Sequence, residues 1–158
     1  MLTFAEIEQR IDDIAASVSD PPGLTPDTQP CVQSVWRSGP DAAVRELLAL
    51  GETVLERWLI AREKVPTDAA KEGFRLLALH AQGARGDPSF NACRETCREL
   101  VYHYNLVTLE PAHPDTAKRV RLAALVARHL ALFVGGKMEV AGLGEFCCAS
   151  TPVRAGDP

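Results

Sequence analysis

From Asp115 to Val134 the chain carries Val120, Leu122, Ala123, Ala124, Leu125 and Val126, then Ala127, Leu130, Ala131, Leu132 and Phe133. A helix drawn through this segment is apolar on almost every side, so other helices must cover it. Arg121 and Arg128, seven residues apart, share its one polar edge. The segment is therefore expected to be the central, largely buried member of an all-α bundle. Gly135-Gly136 reads as its C-terminal stop, with a short hairpin or irregular tail over 137–158.

The helices available to surround it are marked by 3.6-residue periodicity. Phe4, Ile7, Ile11, Ile14 and Val18 form one stripe, with Thr3 as N-cap and Glu6 completing a capping box. Ser38-Gly39-Pro40-Asp41 opens a second helix, whose stripe from Val44 through Leu47, Leu48, Val54 and Leu55 to Trp58 and Leu59 ends before Pro66. Thr67 is expected to cap a third, lined by Ala70, Phe74, Leu77 and Ala81. Asp87-Pro88 starts a fourth, with Phe90, Cys93, Cys97, Leu100, Tyr104 and Val107 on its inner row. Four to five helices follow, with no sustained two-residue alternation to suggest a sheet. Between the first and second lies a Pro-rich strap over 19–40, anchored by Val32, Val35 and Trp36. At 158 residues this is expected to be a single domain: N-terminal acidic helix 1–18, strap, helical core 41–136 and tail.

Charge is unevenly placed. Residues 1–30 hold six carboxylates, Glu6, Glu8, Asp12, Asp13, Asp20 and Asp27, against Arg10 alone, although the chain as a whole is only at −4. The N-terminal arm is thus read as a solvated acidic helix, or as a complement to the basic edge at Lys118, Arg119, Arg121 and Arg128. That basic run is sparse and little mixed with aromatic residues, which gives no reason to expect nucleic acid as a partner. No basic leader precedes an apolar run and no stretch of roughly 18 uncharged residues occurs, so neither a signal peptide nor a membrane span is expected, and a cytoplasmic location is. Five cysteines are odd in number and too few for a disulfide scaffold.

The densest chemistry lies in Cys93-Arg94-Glu95-Thr96-Cys97-Arg98-Glu99-Leu100-Val101-Tyr102-His103. Residues four apart share a helical face, so Cys93 with Cys97 and Glu99 with His103 each present two donors. With Cys147 and Cys148 these make a candidate set for zinc, iron or an iron–sulfur cluster, because thiolate is the preferred soft ligand of zinc and of iron–sulfur clusters. The spacing is not that of short-turn zinc sites, and adjacent cysteines seldom aim at one ion. Packing of Cys93 and Cys97 as small core residues, with no cofactor, is the favoured alternative. The chain's one Glu-x-x-His, Glu110-Pro111-Ala112-His113, falls where Pro111 and Pro114 break the helix, so it does not support a di-iron bundle site, and no C-x-x-C-H occurs to attach haem. His129, in the row Leu122, Val126, Phe133, is expected to be a core histidine in need of a partner.

No P-loop, dinucleotide fingerprint, nucleophile elbow or H-E-x-x-H is present. The leading expectation is a non-catalytic helical-bundle accessory protein that binds another protein, or a second copy of itself, through the strap and the tail. The alternatives are a metal- or cofactor-binding bundle with a redox or metal-handling role, using Cys93, Cys97, His103, Cys147 and Cys148, and a small cysteine enzyme.

Overall fold

The computed structural model describes residues 2–18 and 39–143. Five α-helices account for most of them: α1 (Phe4–Ser17), α2 (Gly39–Ala61), α3 (Arg75–Gly86), α4 (Arg94–Leu109) and α5 (Thr116–Val140), with a 3₁₀ helix over Pro88–Cys93 ahead of α4. The all-α bundle read from the sequence is the fold found. The strap lies outside the described residues except for Gly39 and Pro40, which belong to the first turn of α2. Of the tail, everything beyond Leu143 lies outside them as well.

The capping box at Thr3 is complete: the Glu6 N–H donates to Thr3 Oγ1 at 3.1 Å and the Thr3 N–H to Glu6 Oε2 at 2.7 Å. Phe4, Ile7, Ile11 and Ile14 of α1 are buried. They pack the helix onto α2 and α5. The basic edge of α5 meets the acidic arm there, since Arg128 pairs with Asp12 and Arg121 donates to the Val18 carbonyl at 2.9 Å. Asp12 thus complements the basic edge, while Glu6 and Asp13 stay solvent-exposed as in a solvated acidic helix, and Asp20 and Asp27 lie outside the described residues.

Helix α2 ends where the sequence suggests, by an unexpected device. The Lys64 N–H reaches the Leu59 carbonyl at 2.8 Å while Glu63 sits at φ +58, the left-handed conformation that terminates many helices and favours glycine. An L-residue there is strained. Glu63→Gly is therefore expected to raise stability by about 0.5–1 kcal/mol in urea unfolding; a loss of that size would show that the Glu63 side chain is needed.

Three boundaries differ from expectation. Thr67 does not cap α3, because Glu72 and Gly73 both take positive φ and Lys71 and Phe74 exchange two 3.0 Å backbone bonds, a tight turn that delays the helix to Arg75. The cysteine-bearing helix begins at Pro88 as expected, with Asp87 accepting from the Ser89 N–H, but it is wound as 3₁₀ until Cys93. Gly135-Gly136 does not end α5. The helix runs through them to Val140, where Gly142 at φ +69 and the 2.8 Å bond from Leu143 N–H to the Met138 carbonyl close it. Burying Met138 repays the continuation, so 137–140 are helix and no hairpin forms there.

Helix α5 packs against α1, α2 and α4, which confirms its central place. Among the described residues it is covered on three sides only. Leu122, Leu125 and Leu132 are 37%, 50% and 50% exposed, and His129 lies exposed among them. The expectation of a core histidine at 129 is therefore wrong. The buried imidazole of this fold is His80.

Candidate functional site

Two regions carry more chemistry than packing requires. The first is an aromatic and thiol cluster where α3, the 3₁₀ helix and the start of α4 meet. Phe90 is fully buried at its centre. Its ring stacks on Trp58 of α2 with centroids 5.4 Å apart, and on His80 of α3 at 5.6 Å, while Phe133 of α5 leans against it at 6.3 Å. Gly83 makes room for that ring, since a Cβ at Gly83 would lie 2.7 Å from it. Gly83 and Trp58 also line an outer cleft of about 510 Å³ rimmed by Arg62, Lys64, Arg85 and Asp87. Lys137 and Arg62 sit over the Trp58 ring, 5.2 and 5.3 Å from its centroid. Asp87 accepts from both groups of Ser89 and pairs with Lys137, which holds its carboxyl below the ordinary range. Phe90 thus joins the cleft wall to the imidazole behind it.

The Phe90 carbonyl is a shared acceptor. His80 Nε2 lies 3.1 Å from it and Cys93 Sγ 3.2 Å from it. A carbonyl only accepts, so Nε2 carries a proton. Cys93 stands at the joint between the 3₁₀ helix and α4, as the N-cap residue at φ −99 and ψ 11. Cys97 follows one turn on, and both thiols are buried. The Cys97 S–H, with His80 beside it, holds the Cys93 thiol well below the usual thiol value against the opposing effect of burial. Cys97 is pushed the other way, because it donates its proton to Cys93 and is buried. Of the two thiols, Cys93 ionises first.

Of the other expected ligands, His103 does not join this pair. His103 lies further along α4, part-buried beside Glu99 and Arg119; burial lowers its pKa, and its Nδ1 has no hydrogen-bond partner. Cys147 and Cys148 lie outside the described residues. Among the described residues, no three His, Cys, Asp or Glu side chains are placed to hold one metal ion. Helical periodicity sets His80 beside the Phe74 stripe, and only the packing of α3 on the 3₁₀ helix brings it to the carbonyl it shares with Cys93.

The second region is the uncovered side of α5. Leu122, Leu125, His129, Leu132, Gly136 and Val140 recur at spacings of three and four along it, a seam of roughly 27 Å at 1.5 Å per residue. Its N-terminal half forms one wall of a trough of about 480 Å³ against α1, floored by Ile11, Ala15, Leu122 and Leu125 and edged by Lys118, Arg121 and Arg128. The edge carries a single carboxylate, Asp12, already engaged by Arg128. Among the described residues no helix is long and apolar enough to cross a membrane. No family model, curated protein or solved structure matches this chain.

Proposed function

We propose that the chain is a cytoplasmic accessory protein that works by holding an amphipathic, acidic-flanked helix of another protein against the bare face of α5. The observation that carries this reading is the leucine seam itself. Apolar side chains at coiled-coil spacing, with no helix over them among the described residues, are a recognised docking geometry, in which a partner helix lays its own apolar stripe into the groove. The charge of the trough chooses the partner. Arg128 and Asp12 on its edge offset each other, and Lys118 and Arg121 leave the edge at a net +2, so acidic side chains flanking the incoming stripe gain attraction and basic ones meet repulsion.

The test uses the full-length chain and two synthetic helical peptides with the same leucine stripe, one flanked by Glu and the other by Lys. In fluorescence anisotropy the Glu peptide is expected to bind at least about tenfold more tightly, an advantage that shrinks as salt rises from 50 to about 500 mM because exposed charges are screened. Leu125→Glu is expected to abolish binding of both. Equal affinity for the two peptides would refute the acidic-partner assignment. Sedimentation decides the remaining occupant: a stable dimer that Leu125→Glu dissolves would give the seam to a second copy of the chain and overturn the proposal.

A further inference from the structure

Helix α5 runs through Gly136, yet the packing of the chain gives no reason for a glycine there. A Cβ at Gly83 would strike Phe90, and one at Gly51 would press on Leu100. At Gly136 it would meet no atom within 4 Å among the described residues, and the residue lies inside the regular α-helix. Glycine in an exposed helix interior weakens the helix, because it loses the most backbone freedom on folding. What the missing side chain changes is the outer surface. Gly136 is exposed and stands in the leucine seam four residues from Leu132 and four from Val140, where a coiled-coil face would carry a side chain. Its absence leaves a hollow of about 520 Å³ walled by Leu132, Phe133, Val140 and Trp58. The seam therefore has a socket near one end, two heptads from Leu122. Arg62 and Lys137 edge the socket against Asp87, which Lys137 already holds. The balance of charge is positive here, as it is along the trough.

We propose, resting on the docking reading above, that the socket at Gly136 is the anchor pocket for the partner: the acidic-flanked helix carries one large aromatic side chain, Trp or Phe, at one end of its apolar stripe and seats it over Gly136. Volume argues for an aromatic residue. The hollow falls in the size range of pockets that enclose a small ligand, and an alanine or valine facing it would leave a void whose lining atoms lose their contacts. A tryptophan or phenylalanine brings roughly 150–250 Å² of surface to bury. Chemistry argues the same way, since Arg62 and Lys137 already lie over one indole, that of Trp58, and cations at the rim favour the face of a second ring. Aromatic anchors in such pockets carry a large share of the binding energy of an interface. The same glycine weakens the free helix and makes the socket, so stability and binding are expected to move in opposite directions when it is replaced.

The experiment titrates the full-length chain, by fluorescence anisotropy, with the Glu-flanked leucine-stripe peptide in three forms: Ala at both ends of the stripe, Trp at its N-terminal end, and Trp at its C-terminal end. One Trp form is expected to bind at least about tenfold more tightly than the Ala form, and the end that works gives the direction of the partner helix. Gly136→Leu fills the socket. It is expected to weaken the favoured Trp peptide at least about tenfold while the Ala peptide binds as before or more tightly. Gly136→Ala is expected to raise Tm by about 2–4 °C, since nothing obstructs the added methyl group. A leucine added to a merely adhesive surface would tighten the Trp peptide instead. Binding of the Ala form with no gain from Trp at either end, or tighter binding of the Trp peptide by Gly136→Leu, overturns the socket and leaves the docking face standing. Failure of all three peptides to bind removes the docking face and the socket with it.

Discussion

Phe90→Ala is expected to lower the unfolding free energy by about 3–5 kcal/mol, the range for removing a buried aromatic ring. The high end applies here, because the ring touches three other elements at once, Trp58 on α2, His80 and Gly83 on α3, and Phe133 on α5, while its own backbone forms part of the 3₁₀ helix. No single neighbour is free to fill the space, since Trp58 is held under Lys137 and Arg62. At about 2–4 °C per kcal/mol for a chain of this size, Tm falls by roughly 6–20 °C. Urea unfolding measures the difference directly. A cost below about 1 kcal/mol would mean that the cluster repacks and that Phe90 is not its centre.

Gly83→Ala is the second large effect, and its sign runs against propensity. Alanine inside a helix normally gains up to about 1 kcal/mol over glycine. At Gly83 the added Cβ meets two ring atoms of Phe90 at 2.7 Å, and that ring is held by Trp58 and His80. Overpacking of this kind costs about 1–3 kcal/mol. Gly51 makes the contrast: a Cβ there meets the tip of Leu100 at 2.9 Å and of Leu76 at 3.3 Å, ends of flexible side chains that move aside. Gly51→Ala is therefore expected to lie within about 1 kcal/mol of the parent. In a double-mutant cycle, Gly83→Ala is expected to cost nothing further once Phe90 is Ala, which gives a coupling of about 1–3 kcal/mol. Simple additivity would show that the two residues do not meet.

Elements with strong local chemistry were legible in the sequence. Thr3 with Glu6, the isoleucines of α1, the Asp87-Pro88 start and the stripe of α2 were found where periodicity and capping placed them. The misreadings share a cause, which is that tertiary contacts decided between local signals of similar strength. Gly135-Gly136 looked like a stop, but continuing the helix buries Met138, and Gly142 supplies the stop instead. Thr67 looked like a cap, yet the turn at Glu72-Gly73 intervenes. In α5, apolar on nearly every side, the sequence holds no dipolar pattern to say which side stays bare. The number of neighbouring helices decides that, so His129 was assigned to the core and the leucine seam went unseen. Cys93 and Cys97 were picked out as a pair, whereas their meeting with His80 depends on how α3 crosses the 3₁₀ helix, and no spacing encodes that.

The bareness of the α5 seam is what the proposed function rests on, and one double variant tests it. Leu125→Glu with Leu132→Glu places two carboxylates at positions that are each 50% exposed. On a solvent-facing surface such changes alter stability by about 0.5 kcal/mol or less apiece. The expected result in paired urea-unfolding and anisotropy measurements is a folded chain of near-parental stability that no longer binds the Glu-flanked peptide. A stability loss of several kcal/mol, of the size that core leucines give, would mean that this chain already covers the seam, and would contradict the account.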